Sequence, residues 1–451
     1  MNIIIKNGMI VNARESFKAD IKIEDGIIST ISNEIKPERH DSVIDAKDRL
    51  VFPGAIDPHT HFSNKGFKDD FESGTKAAAV GGVTSIINMN DGLEKKDTLI
   101  EHFDRWKDKA YSSVIDYSFH TIISGPSYNE NTLNELDILA KKGIKNIKLF
   151  TAYKGDKMVN DREMYKIMKK AGELNFNVLV HAENGDIIDE SVLEFIDNGK
   201  VDAIYHSYSR PPIVEAEATE RVLAIAEVTN SKVYVVHVTC KEALEQVEKA
   251  KRRGVNAYAE TCTQYLVLDE SYLKLPKFES AKYVCSPPLR QKSDQIKLWE
   301  GIKNGTISVV SSDHCAINFT NKKKGGEENF SKIPNGMPGV EDRFLVLYHF
   351  GVNNKNISLN DFVNVVSTKP AEIFGLNQKG SISVGKDGDL VILDPNRTKI
   401  ISSKKQFQQV DYTPYEGVEI KGDITNVISR GEEIVSDGKF TGEIGRGNFL
   451  I

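Results

Sequence analysis

The chain has 451 residues, of which 39% are hydrophobic and 27% are charged, and 59 Lys and Arg against 65 Asp and Glu give a net charge of −6. This composition is typical of a globular protein and excludes a small disulfide-dependent scaffold, because a chain of this length buries a sizeable core. The slightly acidic balance indicates no binding site for nucleic acid or for an anionic membrane, so we expect small molecules or other proteins as partners.

The amino terminus and the cysteines favour a cytoplasmic protein. Residues 1–8 lack the charged start, apolar stretch and cleavage site of a signal peptide, and no apolar run approaches about 18 residues. The cysteines form no CxxC pair, which is unfavourable for a disulfide framework or a cysteine-type zinc site. They stand apart in the sequence, at Cys240, Cys262, Cys285 and Cys315. We therefore expect a reducing compartment and no association with a membrane.

Short runs of β-branched residues separated by turns occupy both ends of the chain. In the first 52 residues they lie at 3–5, 9–11, 21–23, 27–28 and 43–45. The same pattern returns near the other end, at 380–385, 389–395 and 427–431. We expect segments 1–52 and 378–451 to combine into one β-rich accessory domain.

Between the termini, helix-like segments alternate with short β-branched runs. The helix-like segments include 134–142, 162–174 and 213–229. The β-branched runs number eight, at 52–57, 83–89, 117–123, 144–150, 178–181, 233–238, 257–260 and 307–311. Eight alternating units predict an α/β fold with a parallel sheet, the (β/α)8 TIM barrel, over residues 53–377.

Polar residues recur where these runs end, which is the face on which barrel enzymes place their active sites. His59 and His61 follow the first run, and residues i and i+2 of an extended strand point the same way, so both imidazoles can bind one ion. The other candidates at strand ends are Lys148, His181, His237 and Asp313. A lone histidine here is more often a hydrogen-bonded core group, and a lone aspartate often caps a helix. The combination of all six favours a metal centre.

Lys148 is the unusual member of this set, because an ammonium group would be repelled by metal ions. The alternative is a lysine whose stem packs and whose charge pairs outward. However, two hard divalent ions need a bridging anion, and no carboxylate ends the fourth strand. A neutral lysine that has taken up carbon dioxide becomes a carbamate, and burial beside cations lowers the lysine pKa in the required direction.

Several strings in the chain resemble the cyclic amidohydrolases of the dihydropyrimidinase and D-hydantoinase family. The resemblance extends over essentially the whole chain, and it is specific because the strings occur together. They are Asp57-Pro58-His59-Thr60-His61, Ile147-Lys148-Leu149-Phe150, His181-Ala182-Glu183-Asn184-Gly185-Asp186, Val236-His237-Val238-Thr239, Glu260-Thr261-Cys262-Thr263-Gln264-Tyr265-Leu266, Ser312-Asp313-His314-Cys315, Ser286-Pro287-Pro288-Leu289-Arg290 and Lys332-Ile333-Pro334-Asn335-Gly336.

The resemblance implies a TIM barrel, an accessory β-sandwich built from both termini, and a centre of two divalent ions, usually Zn²⁺. The implied ligands are His59, His61 and Asp313 for one ion, His181 and His237 for the other, and N6-carboxylated Lys148 for both. It also implies opening of a cyclic amide by a metal-bridging hydroxide, with Asp313 as the proton carrier and Tyr153 stabilising the oxyanion. Tyr153, Ser286 and Asn335 are the implied substrate contacts, the last two through their backbone.

Related activities remain as alternatives. Dihydroorotases commonly carry an arginine just after the His-x-His pair, where this chain has Phe62 and Ser63, so that activity is disfavoured. An allantoinase-type ureide hydrolase shares the metal set and stays open, as does a non-catalytic scaffold on the same fold. The physiological ring, the metal and the oligomeric state are not fixed by the sequence, although the resemblance suggests a homotetramer or a dimer.

Two loops depart from the family pattern. Segments 62–67 and 154–159 are more polar than the apolar loops that receive bulky aromatic ring substituents in D-hydantoinases. We predict a preference for small or polar substituents, with Lys65, Lys154 or Lys157 near an acidic one. The alternative is that these are solvated loop lysines.

Overall fold

The computed structural model describes residues 2–93 and 97–451. Between residues 3 and 53 the chain forms seven short strands, which are divided between two sheets. The strands are β1 (Ile3–Lys6), β2 (Met9–Val11), β3 (Ser16–Lys18), β4 (Asp20–Glu24), β5 (Ile27–Ser32), β6 (Ser42–Asp45) and β7 (Leu50–Pro53). β1, β4, β5 and β6 form one sheet in the order β5-β4-β1-β6, and β2, β3 and β7 belong to the other.

Eight parallel strands then form the predicted barrel, in sequence order around the sheet. They are β8 (Ala55–Thr60), β9 (Val83–Asn90), β10 (Asp116–Ile122), β11 (Asn146–Phe150), β12 (Asn177–His181), β13 (Lys232–Val235), β14 (Ala257–Cys262) and β15 (Ile307–Ser311). The first and last strands meet where the His61 N–H donates to the His314 carbonyl at 3.1 Å. The eight strands predicted from the sequence are confirmed, and the carboxyl ends of all of them lie at one mouth.

Helices connect the barrel strands and cover them. They are α1 (Phe71–Val80), α2 (Leu99–Lys109), α3 (Glu130–Lys141), α4 (Asp161–Glu173), α5 (Gly185–Asp197), α6 (Ile204–Tyr208), α7 (Pro212–Thr229), α8 (Lys241–Arg252), α9 (Thr263–Val267), α10 (Lys292–Lys303), α11 (Phe319–Gly326), α12 (Arg343–Leu347), α13 (Leu359–Val363) and α14 (Lys369–Phe374). π-helical turns at Tyr348–Asn353 and Asn364–Thr368 extend α12 and α13. Polar side chains such as Asp70, Thr98 and Asn160 cap the helix starts by accepting backbone N–H bonds.

The carboxyl-terminal segment returns to the accessory sheets. It forms β16 (Leu390–Ile400), β17 (Glu419–Ser429), β18 (Glu432–Ser436) and β19 (Lys439–Phe440), which extend the second sheet in the order β19-β18-β17-β16-β7-β2-β3. Ile5 and Ile21 of the first sheet and Ile10 and Ile392 of the second share one buried cluster, so the two sheets pack face to face. Strands from both termini thus build the accessory β layers, as expected.

Two local expectations need correction. The predicted run 52–57 contains parts of two strands, because the chain passes from β7 to β8 at Gly54, where a Cβ would collide with Thr84. Segment 380–385 forms no strand, since the Asn12 side chain bonds both the N–H and the carbonyl of Ile382 in place of a neighbouring strand. The domain boundaries at 52/53 and 377/378 stay a prediction.

The last residues of the chain pack on the barrel. The Tyr117 N–H donates to the Asn448 carbonyl at 2.9 Å, the Leu450 N–H donates to the Tyr117 carbonyl at 2.7 Å, and Phe449 lies against the ring of Phe103. Residues 448–450 at the carboxyl terminus therefore pack on their own chain. Within residues 2–93 and 97–451, no helix is both long enough and apolar enough to cross a membrane.

A buried lysine joins the barrel to the accessory sheets. Lys379 Nζ lies within 2.8 Å of three carboxylates, those of Asp116, Asp387 and Asp389. We expect Lys379→Met to lower the free energy of unfolding by about 3–5 kcal/mol, because it leaves Asp387 and Asp389 without this counter-charge, whereas Asp116 keeps its ion pair with Arg430. Urea denaturation followed by circular dichroism measures this. Lys369→Met removes the exposed pair with Glu372 and should cost at most about 1 kcal/mol; equal losses in both variants would contradict the prediction.

Candidate functional site

The ends of β8 and β15 bring two histidines and an aspartate together. His59 Nε2 lies 3.2 Å and His61 Nε2 lies 3.1 Å from the same oxygen, Asp313 Oδ1. All three side chains are close enough to ligate one cation, as the i, i+2 spacing predicted. Asp313 does not cap the next helix, because α11 begins only at Phe319.

The ends of β12 and β13 bring the other two histidines together beside the first group. His181 Nδ1 lies 2.9 Å from His237 Nε2, and the His59 and His237 rings stack at a centroid distance of 5.6 Å. His237 has φ +38° and Asp313 has φ +49°, a left-handed conformation that costs on the order of 1–3 kcal/mol for a residue with a side chain. β13 therefore ends at Val235, before the end of the predicted run 233–238, and the His237 imidazole turns into the barrel mouth.

Lys148 projects from β11 into the same cavity. Its side chain is buried, and its Nζ makes no hydrogen bond within the part of the chain that the structure describes. Burial lowers the Lys148 pKa to about 7, although the carboxylates of Glu260 and Asp313 oppose the shift. A buried amine without a hydrogen-bonding partner, close to its neutral form, is suited to modification by carbon dioxide.

Two carboxylates that the sequence reasoning did not assign fix the ring orientations. Glu260 Oε1 lies 2.6 Å from His59 Nδ1, and Glu183 Oε2 lies 2.8 Å from His181 Nε2. Because an ionised carboxylate only accepts, these nitrogens carry the ring protons, and the lone pairs of His59 Nε2 and His181 Nδ1 face the cavity. Both glutamates lie in the sequence strings that resemble the family. The only feature of the sequence that could have identified them is the position of a carboxylate at the end of a buried strand.

The direction of these lone pairs indicates whether the residues can bind metal ions. His59 Nε2, an acceptor, lies 3.2 Å from Asp313 Oδ1, another acceptor, and such a contact is unfavourable without a cation between the two atoms. Burial lowers the pKa values of His59, His181 and His237, which keeps the imidazoles in the neutral form that binds metals. Imidazole nitrogens with a carboxylate suit zinc and similar divalent ions. The donor set therefore fits divalent metal ions, as the family resemblance implied.

A cavity of about 220 Å³ opens over these groups. All nine predicted site residues line it, namely His59, His61, Lys148, Tyr153, His181, His237, Ser286, Asp313 and Asn335. Tyr153 reaches it from a left-handed backbone position, φ +64°. Burial, reinforced by the Glu183 carboxylate, raises the Tyr153 pKa to about 12, so its hydroxyl keeps the proton and can donate a hydrogen bond.

The three loop lysines have different positions. Lys65 is exposed, and Lys154 pairs outward with Asp186; neither belongs to the described lining of the cavity. Lys157 does line the cavity, but its Nζ lies 2.7 Å from Asp91 Oδ2, which also lines it. Lys157, one of the three lysines predicted to lie near an acidic substituent, is therefore already paired with the carboxylate of Asp91.

The fold and the site together define a class, the barrel enzymes whose histidines, aspartate and lysine form a metal-type centre at the carboxyl ends of the strands. The model of the amidohydrolase family matches residues 50–434. D-hydantoinases from Geobacillus stearothermophilus and Ralstonia pickettii are each 45% identical to this chain, over 100% of its length and 96% and 98% of theirs. The crystal structure of dihydropyrimidinase from Brevibacillus agri NCHU1002 superposes with a TM-score of 0.97 at 42% identity, covering 100% of this chain and 98% of that one. The chain belongs to the amidohydrolase family, in its D-hydantoinase and dihydropyrimidinase group.

Proposed function

We propose that this protein hydrolyses the cyclic amide bond of dihydropyrimidines or 5-substituted hydantoins and releases N-carbamoyl amino acids. The observation that carries the proposal is the convergence of four histidines, Lys148 and Asp313 on one buried cavity. Full-length similarity to proteins named D-hydantoinase and dihydropyrimidinase supports the choice of substrate class.

We assign the first ion to His59, His61 and Asp313 and the second ion to His181 and His237, with carboxylated Lys148 shared by both. Zn²⁺ is the ion that this donor set favours. When bound, a pair of divalent ions would supply a nucleophile from water at neutral pH and would polarise the substrate carbonyl. Glu260 and Glu183 hold the imidazoles with their lone pairs toward the cavity.

The protein's own groups then bind the ring and carry the proton. The Tyr153 hydroxyl donates to the carbonyl oxygen as negative charge develops on it, and the backbone at Ser286 and Asn335 binds the imide. Asp313 accepts the proton of the attacking water and delivers it to the departing ring nitrogen. Burial alone would raise the pKa of Asp313, but the hydrogen bond with the His61 ring holds it below the usual value, so the carboxylate is ready to accept a proton.

Ring opening of a substrate panel tests the function. Zinc- and bicarbonate-reconstituted protein would be mixed with dihydrouracil, 5-substituted hydantoins, allantoin and dihydroorotate, and loss of the ring would be followed by absorbance and mass spectrometry. The proposal expects turnover of the first two classes. Exclusive turnover of allantoin would favour the ureide hydrolase, and a protein that binds no metal and opens no ring would favour the scaffold.

The ion pair of Asp91 and Lys157 predicts the substituent preference. A phenyl group placed against this pair would remove its water without replacing the hydrogen bonds, whereas a small neutral polar group can bond to it. We expect kcat/KM for 5-hydroxymethylhydantoin to exceed that for 5-phenylhydantoin by about 10-fold or more. The double variant Asp91→Asn/Lys157→Met should lose most of this preference.

An exposed ion pair between Lys154 of the same loop and Asp186 of α5 provides the control. Lys154→Met/Asp186→Asn removes an ion pair that does not line the cavity, and the preference should not change. A carboxylate-bearing hydantoin should gain nothing over the hydroxymethyl compound, because Asp91 already neutralises Lys157. A strong wild-type preference for the phenyl compound would contradict the prediction.

We also propose a location and an assembly for this protein. We place the protein in the cytoplasm because its four buried cysteines are free thiols, as is usual in a reducing compartment. A homotetramer or a dimer is the assembly that the family suggests. Sedimentation velocity of the purified protein measures its mass in solution.

A further inference from the structure

A buried histidine–aspartate pair lies directly behind the cavity. His314 Nε2 lies 3.0 Å from Asp69 Oδ2, and both side chains are fully buried. Asp69 follows β8 by nine residues, and His314 is the neighbour of Asp313 in the chain. The pair therefore connects the loop after the first barrel strand to the loop after the last one.

The hydrogen bonds of His314 determine its protonation. Its Nδ1 accepts from the backbone N–H groups of Gly339 at 3.0 Å and Val340 at 3.2 Å, so that nitrogen carries no proton. The ring proton is therefore on Nε2, which donates it to Asp69. Both ring nitrogens of His314 are in use, and the ring cannot rotate without breaking these bonds.

Asp69 is held in turn by the accessory segment. Its Oδ1 accepts from the Gln409 N–H and from the Ser73 hydroxyl, both at 2.9 Å. Gln409 belongs to residues 401–418, which link β16 to β17 and which we name the β16–β17 connection. The N–H groups of Phe407 and Gln408 in this connection also donate to the Glu341 carboxylate. Glu341 directly follows Gly339 and Val340, whose N–H groups donate to His314.

The backbone of His314 lies where three parts of the cavity wall meet. The His314 carbonyl accepts from the His61 N–H at 3.1 Å. His314 also forms a parallel β-bridge with Met337, which lies two residues beyond Asn335. Next to it, Asp313 keeps a left-handed backbone that surrounding contacts have to maintain. A fixed His314 ring is one such contact.

We propose that Asp69 and His314 are positioning residues through which the β16–β17 connection holds Asp313 in place at the cavity. This inference rests on the proposed function, in which Asp313 binds a metal ion and carries the proton. It assigns the accessory segment a part in shaping the centre, in addition to covering the barrel.

Substitutions at both members of the pair test the inference. Asp69→Asn keeps the shape and removes the charge, His314→Phe keeps the ring against Phe62, and His314→Gln keeps a donor where Nε2 was. Zinc affinity would be measured by competition with a chromophoric chelator, and the visible spectrum of the cobalt-loaded protein would report the coordination of the ion. We expect Asp69→Asn and His314→Phe to weaken zinc binding by about 10–100-fold, to change the cobalt spectrum, and to lower kcat with KM nearly constant. His314→Gln should recover much of each property.

The matched control is Asp411→Asn. Asp411 lies in the same connection and accepts the Phe319 N–H, without contact to the pair, so zinc affinity and spectrum should equal those of the wild type. Wild-type spectra and zinc affinity in Asp69→Asn would overturn the inference, and this variant is decisive if His314→Phe does not fold. A wild-type protein that binds neither zinc nor cobalt would instead contradict the proposed function itself.

Discussion

Lys148→Ala is expected to lower kcat/KM for ring opening by at least about 10³-fold and to remove most of the bound zinc. The Nζ of Lys148 is the buried atom through which a carbamate would reach both groups of histidines, and alanine offers no anion in its place. Short carboxylic acids such as acetate or propionate should restore part of the activity, because they fit the space left by the side chain. Activity assays and zinc analysis with and without these acids measure both effects.

Lys322→Met is the control for the loss of a buried lysine. Burial lowers the Lys322 pKa to about 7, as it does for Lys148, but the Lys322 amine donates to the Val284 carbonyl at 2.9 Å and does not belong to the described lining of the cavity. Its zinc content should equal that of the wild type. Full activity in Lys148→Ala would refute the role of Lys148.

Asp313→Asn is expected to lower kcat by about 10²–10⁴-fold at saturating zinc, with a much smaller change in KM. Asparagine keeps the shape of the side chain but cannot accept the proton that the reaction has to move. The hydrogen bond with the His61 ring holds the Asp313 pKa below its usual value, so the wild-type group is ionised at neutral pH, and the loss should persist throughout the neutral range. Steady-state kinetics with the zinc content verified for each sample separate this effect from loss of metal.

Asp156→Asn provides the matched change of charge. Asp156 also lines the cavity, but it is exposed, and we assign it no contact with the reacting groups. Its kcat should stay within about 3-fold of the wild type, because water and salt screen an exposed charge. Equal losses in Asp313→Asn and Asp156→Asn would indicate a general electrostatic effect and would contradict proton transfer by Asp313.

The barrel and the members of the site were predictable because both have local signals. Alternation of β-branched and helical segments gave all eight strands, and the two-residue period of a strand placed His59 and His61 on one side. The strand ends of a barrel share one mouth, so residues far apart in sequence could be grouped before any distance was known. Positions Tyr153, Ser286 and Asn335 came from family resemblance, and the structure places them in the same cavity.

The errors arose where a long-range contact overrides a local pattern. Segment 380–385 has the composition of a strand, but the side chain of Asn12, about 370 positions away, takes its hydrogen bonds. The sequence also gave no sign that Lys157 pairs with Asp91, which lies on another loop; the predicted preference for small or polar substituents stays a prediction.

The sequence by itself determined the barrel, the accessory strands and the set of chemical groups at the mouth, because periodicity and strand-end position follow from neighbouring residues. Only the tertiary structure decided how those groups face one another. Glu260 and Glu183 set the ring orientations of His59 and His181, and Asp69 reaches His314 across 245 positions. Hydrogen bonds of this kind depend on the register in which the strands close and on how the loops pack over them, and distances of a few tenths of an ångström decide whether they form.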